Sequence, residues 1–201
     1  MDKSLLLFVL FISFAFCSGQ TRGSNVDSTI FTDSSVTVFN DNSYRLTVHI
    51  FDNTGYDEER NNAVLTFTKQ EKNKTKVIFK DSLYCMHPFI DFQDFNNDKI
   101  KDVLIFYSTG ARANPTYHLY LTDKKSRKLI RVTGFEKLPN PSLDRTNNII
   151  TSIGLSGTNY YSFYRINMKN RLVNLRHSYE ENPSDSTQYE KAIRQILRSR
   201  E

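Results

Sequence analysis

The strongest constraint on this chain is its rhythm of short apolar runs, each ended within a few residues by a turn signal. "YRLTVHIF", "AVLTFT", "KVIFK", "DVLIFY", "YHLYLT", "KLIRV", "NIITSI", "YYSFYRIN" and "RLVNLRHSY" are rich in Val, Ile, Thr, Tyr and Phe. "SVTVF" opens the series. Residues of this kind favour pleated, half-buried backbone, so each run reads as a strand. In the clearest of them Tyr44, Leu46, Val48 and Ile50 fall on one face and Arg45, Thr47 and His49 on the other. The breaks "FDNTG", "EKNK", "TGARANP", "LPNP" and "SGTN" hold the Gly, Pro, Asn and Asp that turns require. Helical periodicity is confined to the end, where Tyr189, Ile193, Ile196 and Leu197 share one face. Thr187 and Glu190 are spaced as a capping box in front of it. The expected fold is mainly β: about ten short strands and a C-terminal helix at 187–199. A small propeller-like array, a sandwich and a barrel all fit that pattern.

A chain of 201 residues suits one domain. Its first 19 residues have another purpose. Lys3, an apolar run from Leu5 to Phe16, and small residues Cys17, Ser18 and Gly19 are the parts of a secretory signal peptide. The apolar run is shorter than the roughly 20 residues a membrane span needs. Cleavage is expected before Gln20; the alternative is a lipoprotein cut before Cys17. Residues 20–35 are Ser-, Thr-, Asn- and Asp-rich and read as a flexible lead-in, leaving 36–201 as the β domain. Export places the protein in the periplasm or on the cell surface. Only Cys17 and Cys85 are present, so Cys85 has no disulfide partner in the mature chain, and the fold must stand on its core. The net charge of +5 is compatible with an acidic partner, but no nucleic-acid-binding motif accompanies it.

One stretch sets carboxylates between two apolar segments. In "DFNNDKIKD" Asp94, Asn96, Asp98 and Asp102 stand at positions one, three, five and nine, with Ile100 at seven. Calcium loops of EF-hand type take side-chain oxygens at one, three, five and nine and a backbone carbonyl at seven. The hard cation calls for this oxygen-only set. Lys99 occupies the place where Gly usually makes the sharp turn, Ile105 the place of the bidentate Glu, and the flanks are strands. The expectation is a structural calcium ion held by Asp94, Asn96, Asp98, the Ile100 carbonyl and Asp102. A metal-free, Asx-rich turn is the alternative.

"DFNNDKIKDVLIFY" resembles the calcium loop of FG-GAP and VCBS-type repeats of β-propeller proteins, except at Lys99. The order that follows, "STGARANPTY", "YHLYLTDKKSRKLI", "LPNPSLDRTNNIITSI", "SGTNYYSFYRI" and "NMKNRLVNL", resembles a family of bacterial exported proteins with a propeller-like β fold and one calcium loop. That resemblance covers the second half of the chain. It implies an immunity protein that inhibits a peptidoglycan-cleaving, lysozyme-like enzyme. Ser156, Gly157 and Tyr160 form S-G-x-x-Y, similar to a motif that bacterial lysozyme inhibitors carry in the loop entering the enzyme's cleft. The bland counterpart is an ordinary Ser-Gly hairpin turn. Tyr and Arg are favoured at interface centres, so Tyr160, Tyr117 and Arg112 join Ser156 and Gly157 as candidate contacts with a protein partner.

Catalytic constellations are weak by comparison. "GLSGT" lacks the last Gly of a nucleophile elbow and its strand–turn–helix setting. His49, His87, His118 and His177 are scattered and form no zinc-binding helix. The expected function is a non-enzymatic exported binding protein, an inhibitor of a cell-wall hydrolase. The alternative is a calcium-stabilised surface module for carbohydrate or cell-wall polymer.

Overall fold

The strand rhythm builds three antiparallel meanders, laid down in chain order. The structure, a computed structural model, describes residues 30–34, 39–52, 60–110 and 113–199. The signal segment, most of "SVTVF" and Arg112 lie outside the described residues. The first sheet holds β1 (Ile30–Ser34), β2 (Tyr44–Ile50), β3 (Ala63–Glu71) and β4 (Lys74–Leu83). The second holds β5 (Ile90–Gln93), β6 (Asp102–Gly110), β7 (Asn114–Asp123) and β8 (Lys128–Val132). The third holds β9 (Ser142–Asp144), β10 (Ile149–Gly154), β11 (Tyr160–Ile166) and β12 (Leu172–Glu180). A helix, α1 (Gln188–Arg198), follows. Among the described residues, no strand of one sheet pairs with a strand of another, so no sheet closes into a barrel.

Side-chain alternation explains how the sheets stack. On β6, Val103 and Ile105 point to one side and join Leu46, Val48, Leu65 and Phe67 of the first sheet in one buried cluster. Leu104 points the other way and joins Leu119, Leu121, Phe135 and Ile150 in a second. The second sheet is therefore buried on both faces. Its central strand consequently reads as a continuous apolar run, where a half-exposed strand would alternate. The third sheet repeats the device: Ile150 and Ile166 face the second cluster, while Ile149 and Phe163 face Ala192, Ile193 and Ile196 of α1. The helix thus covers a face that would otherwise be exposed.

Two expectations need correction. The lead-in was placed at 20–35, yet Ile30–Ser34 pairs residue for residue with His49–Arg45. Backbone pairing along β2 organises a segment whose composition alone has little to bury. β9, only three residues long, carries too few residues for a periodic signal and is held by β10, whereas β5 is the strand expected before the acidic loop. The helix begins where expected, but the capping box does not form: Thr187 makes no side-chain cap. Its hydroxyl donates instead to Asp185 Oδ1 at 2.6 Å. The Asp185 carboxylate also accepts from Lys191 Nζ at 2.8 Å. The charged Asp185 carboxylate orients the Thr187 hydroxyl, whose oxygen makes no bond to the first N–H groups of the helix.

A polar network crosses between the first and second sheets. Buried Tyr120 donates its hydroxyl to Asp81 Oδ2 at 2.8 Å, and Arg131 Nη1 reaches the same oxygen at 3.0 Å. Arg131 Nη2 lies 3.2 Å from His118 Nδ1, and His118 Nε2 lies 2.9 Å from the Tyr84 carbonyl. A guanidinium only donates. Nδ1 must therefore accept, and Nε2 carries the proton given to Tyr84. The imidazole is thus fixed in its neutral form. Burial and the Arg131 charge lower its pKa from 6.5 to about 4. Its contribution to stability is complete above pH 6.5 and is lost as the pH falls through 4. The loss is worth about 3 kcal/mol. Urea unfolding at stepped pH should show it, and His118→Gln should flatten the difference between pH 6.5 and 4; parallel curves for the two proteins would refute the assignment.

Candidate functional site

Two regions carry the candidate residues, and they sit at opposite ends of β6. The acidic loop lies between β5 and β6. Asp94 Oδ1 accepts from Asn97 N at 2.7 Å and Oδ2 from Lys99 N at 3.0 Å. Asn96 Oδ1 accepts from Asp98 N at 3.2 Å, and Asp98 Oδ1 from Ile100 N at 2.8 Å. Asp102 closes the loop. Its carboxylate is fully buried and takes Phe95 N at 2.9 Å and Thr122 N at 3.0 Å. It ties the loop to the end of β7. Burial drives the Asp102 pKa up to about 7, against the two N–H donors that pull it down, and the Asp98 and Asp94 charges add to the rise.

Asp94 and Asp102 turn inward, whereas Asn96 and Asp98 stay on the outer part of the loop. Lys99 adopts a left-handed conformation, φ 68°, the geometry for which Gly is normally chosen at this position. The missing Gly has not changed the turn; the loop has kept its shape at a local steric cost. The donor set, three carboxylates and an amide, has the oxygen chemistry of a calcium site. As they stand, these oxygens are turned to backbone N–H groups, and Asn96 Nδ2 donates to Asp98 Oδ2 at 2.9 Å. Among the described residues no three His, Cys, Asp or Glu side chains converge to hold a metal ion. Asn96 and Asp98, on the outer part of the loop, would have to swing inward to complete a shell. Asn97 Nδ2 donates to the Arg145 carbonyl at 2.9 Å, so the loop supports the β9–β10 turn.

The other region is the far end of the second and third sheets. There the β6–β7 connection meets the β10–β11 hairpin. Asn114 joins them: its Nδ2 donates to Leu155 O at 2.9 Å, and its Oδ1 accepts from Leu155 N at 2.8 Å. One amide side chain thus pairs with a backbone residue as a strand would. Asn140 completes the joint, its Nδ2 donating to Asn114 Oδ1 at 2.9 Å and to Ile153 O at 2.8 Å. A cleft of about 460 Å³ lined by Tyr107, Asn114, Glu136 and Pro139 lies beside it.

This joint brings part of the expected contact set together. Ser156, Gly157 and Tyr160 share the β10–β11 hairpin, with Leu155 at its base. Leu155 is 36% exposed and Tyr160 46%. Gly157 holds φ 93°, which an L side chain would resist. Ser156 Oγ donates to Thr158 O at 2.7 Å, so its hydroxyl is engaged in shaping the turn. Tyr117 has a different setting. It packs against the second core cluster and edge-on to Phe106, ring centroids 5.8 Å apart, with its phenol pKa raised by burial and by Asp91. Asn114 and Asn140 were not singled out from the sequence. Each precedes a proline, and the two Asn-Pro pairs were the available signal.

Comparison with known proteins finds no matching family model, no matching curated protein and no matching solved structure.

Two substitutions test the acidic loop. Lys99→Gly should relieve the left-handed strain and stabilise the protein by about 1 kcal/mol, seen as a higher melting temperature. Asp102→Ala would strand two buried N–H donors and cost about 3 kcal/mol or more, measured by urea unfolding. A Lys99→Gly protein that melts lower than the parent would show that the turn is not strained there.

Proposed function

We propose that this chain is an exported, non-enzymatic binding protein of the bacterial periplasm or cell surface. Its particular role, on this proposal, is to inhibit a peptidoglycan-cleaving, lysozyme-like enzyme as an immunity protein. The observation that carries the proposal is the locked end of the second and third sheets. Asn114 pins the β10–β11 hairpin, and the hairpin presents Leu155, the Ser156–Gly157 turn and Tyr160. A rigid, protruding turn with exposed aromatic and aliphatic groups suits insertion into an enzyme cleft, because little ordering remains to be done on binding. Three successive four-stranded meanders are in keeping with the propeller-like family that the second half resembles. Among the described residues no helix is long and apolar enough to cross a membrane.

Calcium belongs to the proposal as a structural ion. Asp94, Asn96, Asp98, Asp102 and the Ile100 carbonyl would hold it, neutralising charge at the β5–β6 turn. Nine residues of β6 separate that turn from the hairpin end. At strand rise this is about 26 Å. The ion would act on stability, leaving partner recognition to the hairpin.

Residual lytic activity of lysozyme-type hydrolases, measured with the protein added, tests the main proposal. Inhibition is expected, and the double change Leu155→Asp with Tyr160→Ala should abolish it without lowering the melting temperature. Failure to bind or inhibit any hydrolase, with binding to insoluble cell wall alone, would favour a carbohydrate-binding surface module instead. For the ion, calcium should raise the melting temperature, and Asp94→Ala with Asp98→Ala should remove the rise. Identical melting with calcium and with chelator would take calcium out of the proposal.

A further inference from the structure

A second cleft, of about 420 Å³, opens between the ends of β11 and β12 and the start of α1. Its wall is aromatic. Tyr161 and Tyr179 stack with centroids 4.7 Å apart and planes 9° from parallel, and Tyr189 lines the cleft with them. Around the rings stand Glu181, Asn182, Asp185, Ser186 and Gln188. Several polar groups there are unspent. The Tyr179 hydroxyl, the Asn182 amide N–H₂ and the Ser186 hydroxyl have no hydrogen-bond partner among the described residues, although Asn182 Oδ1 accepts from Ser184 N at 3.0 Å.

The frame beneath these groups is hydrogen-bonded. Gln188 Oε1 accepts from Asn182 N at 2.6 Å, and its Nε2 donates to Glu180 O at 3.1 Å. Tyr189 donates its hydroxyl to Asp144 Oδ2 at 3.2 Å. The carboxylates do not make this a cation cage. Asp185 is held by Lys191, and Glu181 accepts from Asn159 Nδ2 at 2.6 Å. The first turn of α1 also brings its positive end here. What remains is a cleft with apolar ring surface, the Glu181 carboxylate, and both donors and acceptors at its edge.

We propose that this cleft binds a neutral saccharide. A pyranose has apolar C–H faces to lay on tyrosine rings and hydroxyls that donate and accept around its rim. The cleft volume lies within the range of small-ligand sites, about 300–1,000 Å³. The proposal goes beyond hydrolase inhibition and does not depend on it, since the exposed Leu155 and Tyr160 are separate from the groups that line the cleft.

Isothermal titration calorimetry with a panel of neutral oligosaccharides, N-acetylglucosamine, glucose and galactose oligomers at millimolar concentration, tests it. At least one should bind saturably. Asn182→Asp, which keeps the acceptor for Ser184 N–H and removes the amide donor, should weaken binding about fivefold to tenfold. Tyr161→Ala should abolish it, while Leu155→Asp with Tyr160→Ala leaves it unchanged. Ser186→Ala, at an exposed hydroxyl with no internal partner, gives a variant whose folding is not in question and should also weaken binding. No saturable heat with any sugar would overturn the proposal. So would binding indifferent to Asn182→Asp and Ser186→Ala, or heat from tetramethylammonium with none from the sugars.

Discussion

The buried carboxylate of Asp102 is the constraint around which the middle of the molecule is arranged. It starts β6, and its oxygens hold Phe95 N in the preceding loop and Thr122 N on β7. Without such an acceptor two backbone donors would be buried and unpaired, which few folds tolerate. With it, Phe95 is delivered into the second core cluster, edge-on to Phe135 with ring centroids 5.1 Å apart. The same carboxylate is uncomfortable as a charge, because burial resists it and Asp94 and Asp98 stand nearby. A cation at the loop would ease that conflict. The cost is built into the turn whether or not an ion relieves it.

The second sheet then becomes the centre of the stack. Each of its faces is sealed by a neighbouring sheet, and the third sheet is sealed in turn by α1. Dispersion and apolar burial hold these layers together without direction. The Tyr120–Asp81–Arg131–His118 network adds direction, fixing how β4 meets β7 and β8. At the far end Asn114 and Asn140 do for the third sheet what that network does for the first: they set the position of one layer on another by hydrogen bonds that only one arrangement satisfies.

The two surfaces proposed above for binding lie where this layering ends. The hairpin with Leu155 and Tyr160 lies at the end of β10 and β11, and the tyrosine cleft opens where α1 begins. The hairpin lies at the other end of β6 from the acidic loop. The eye-catching cluster of carboxylates supports the scaffold, while the candidate contacts sit among tyrosines and asparagines that look ordinary in the sequence.

The strand runs and the terminal helix were legible in the sequence because each rests on local periodicity. Lys99 in a Gly position looked like a defect there; the backbone adopts the left-handed turn regardless, since four surrounding side-chain oxygens hold it. Ser156, Gly157 and Tyr160 were legible as a turn before an aromatic strand, but the engagement of Ser156 Oγ by Thr158 O was not. β1 and β9 were not legible because their stability comes from pairing with β2 and β10. The Asn114–Leu155 joint and the cleft formed by Tyr161, Tyr179 and Tyr189 were equally hidden. The sequence by itself determined which segments are strands and which faces are apolar, since those follow from neighbours a few residues apart. Which sheet covers which, which tyrosines are core and which line a cleft, and which asparagines become joints were decided only by tertiary structure, because those properties belong to pairs of residues that the chain must fold to bring together.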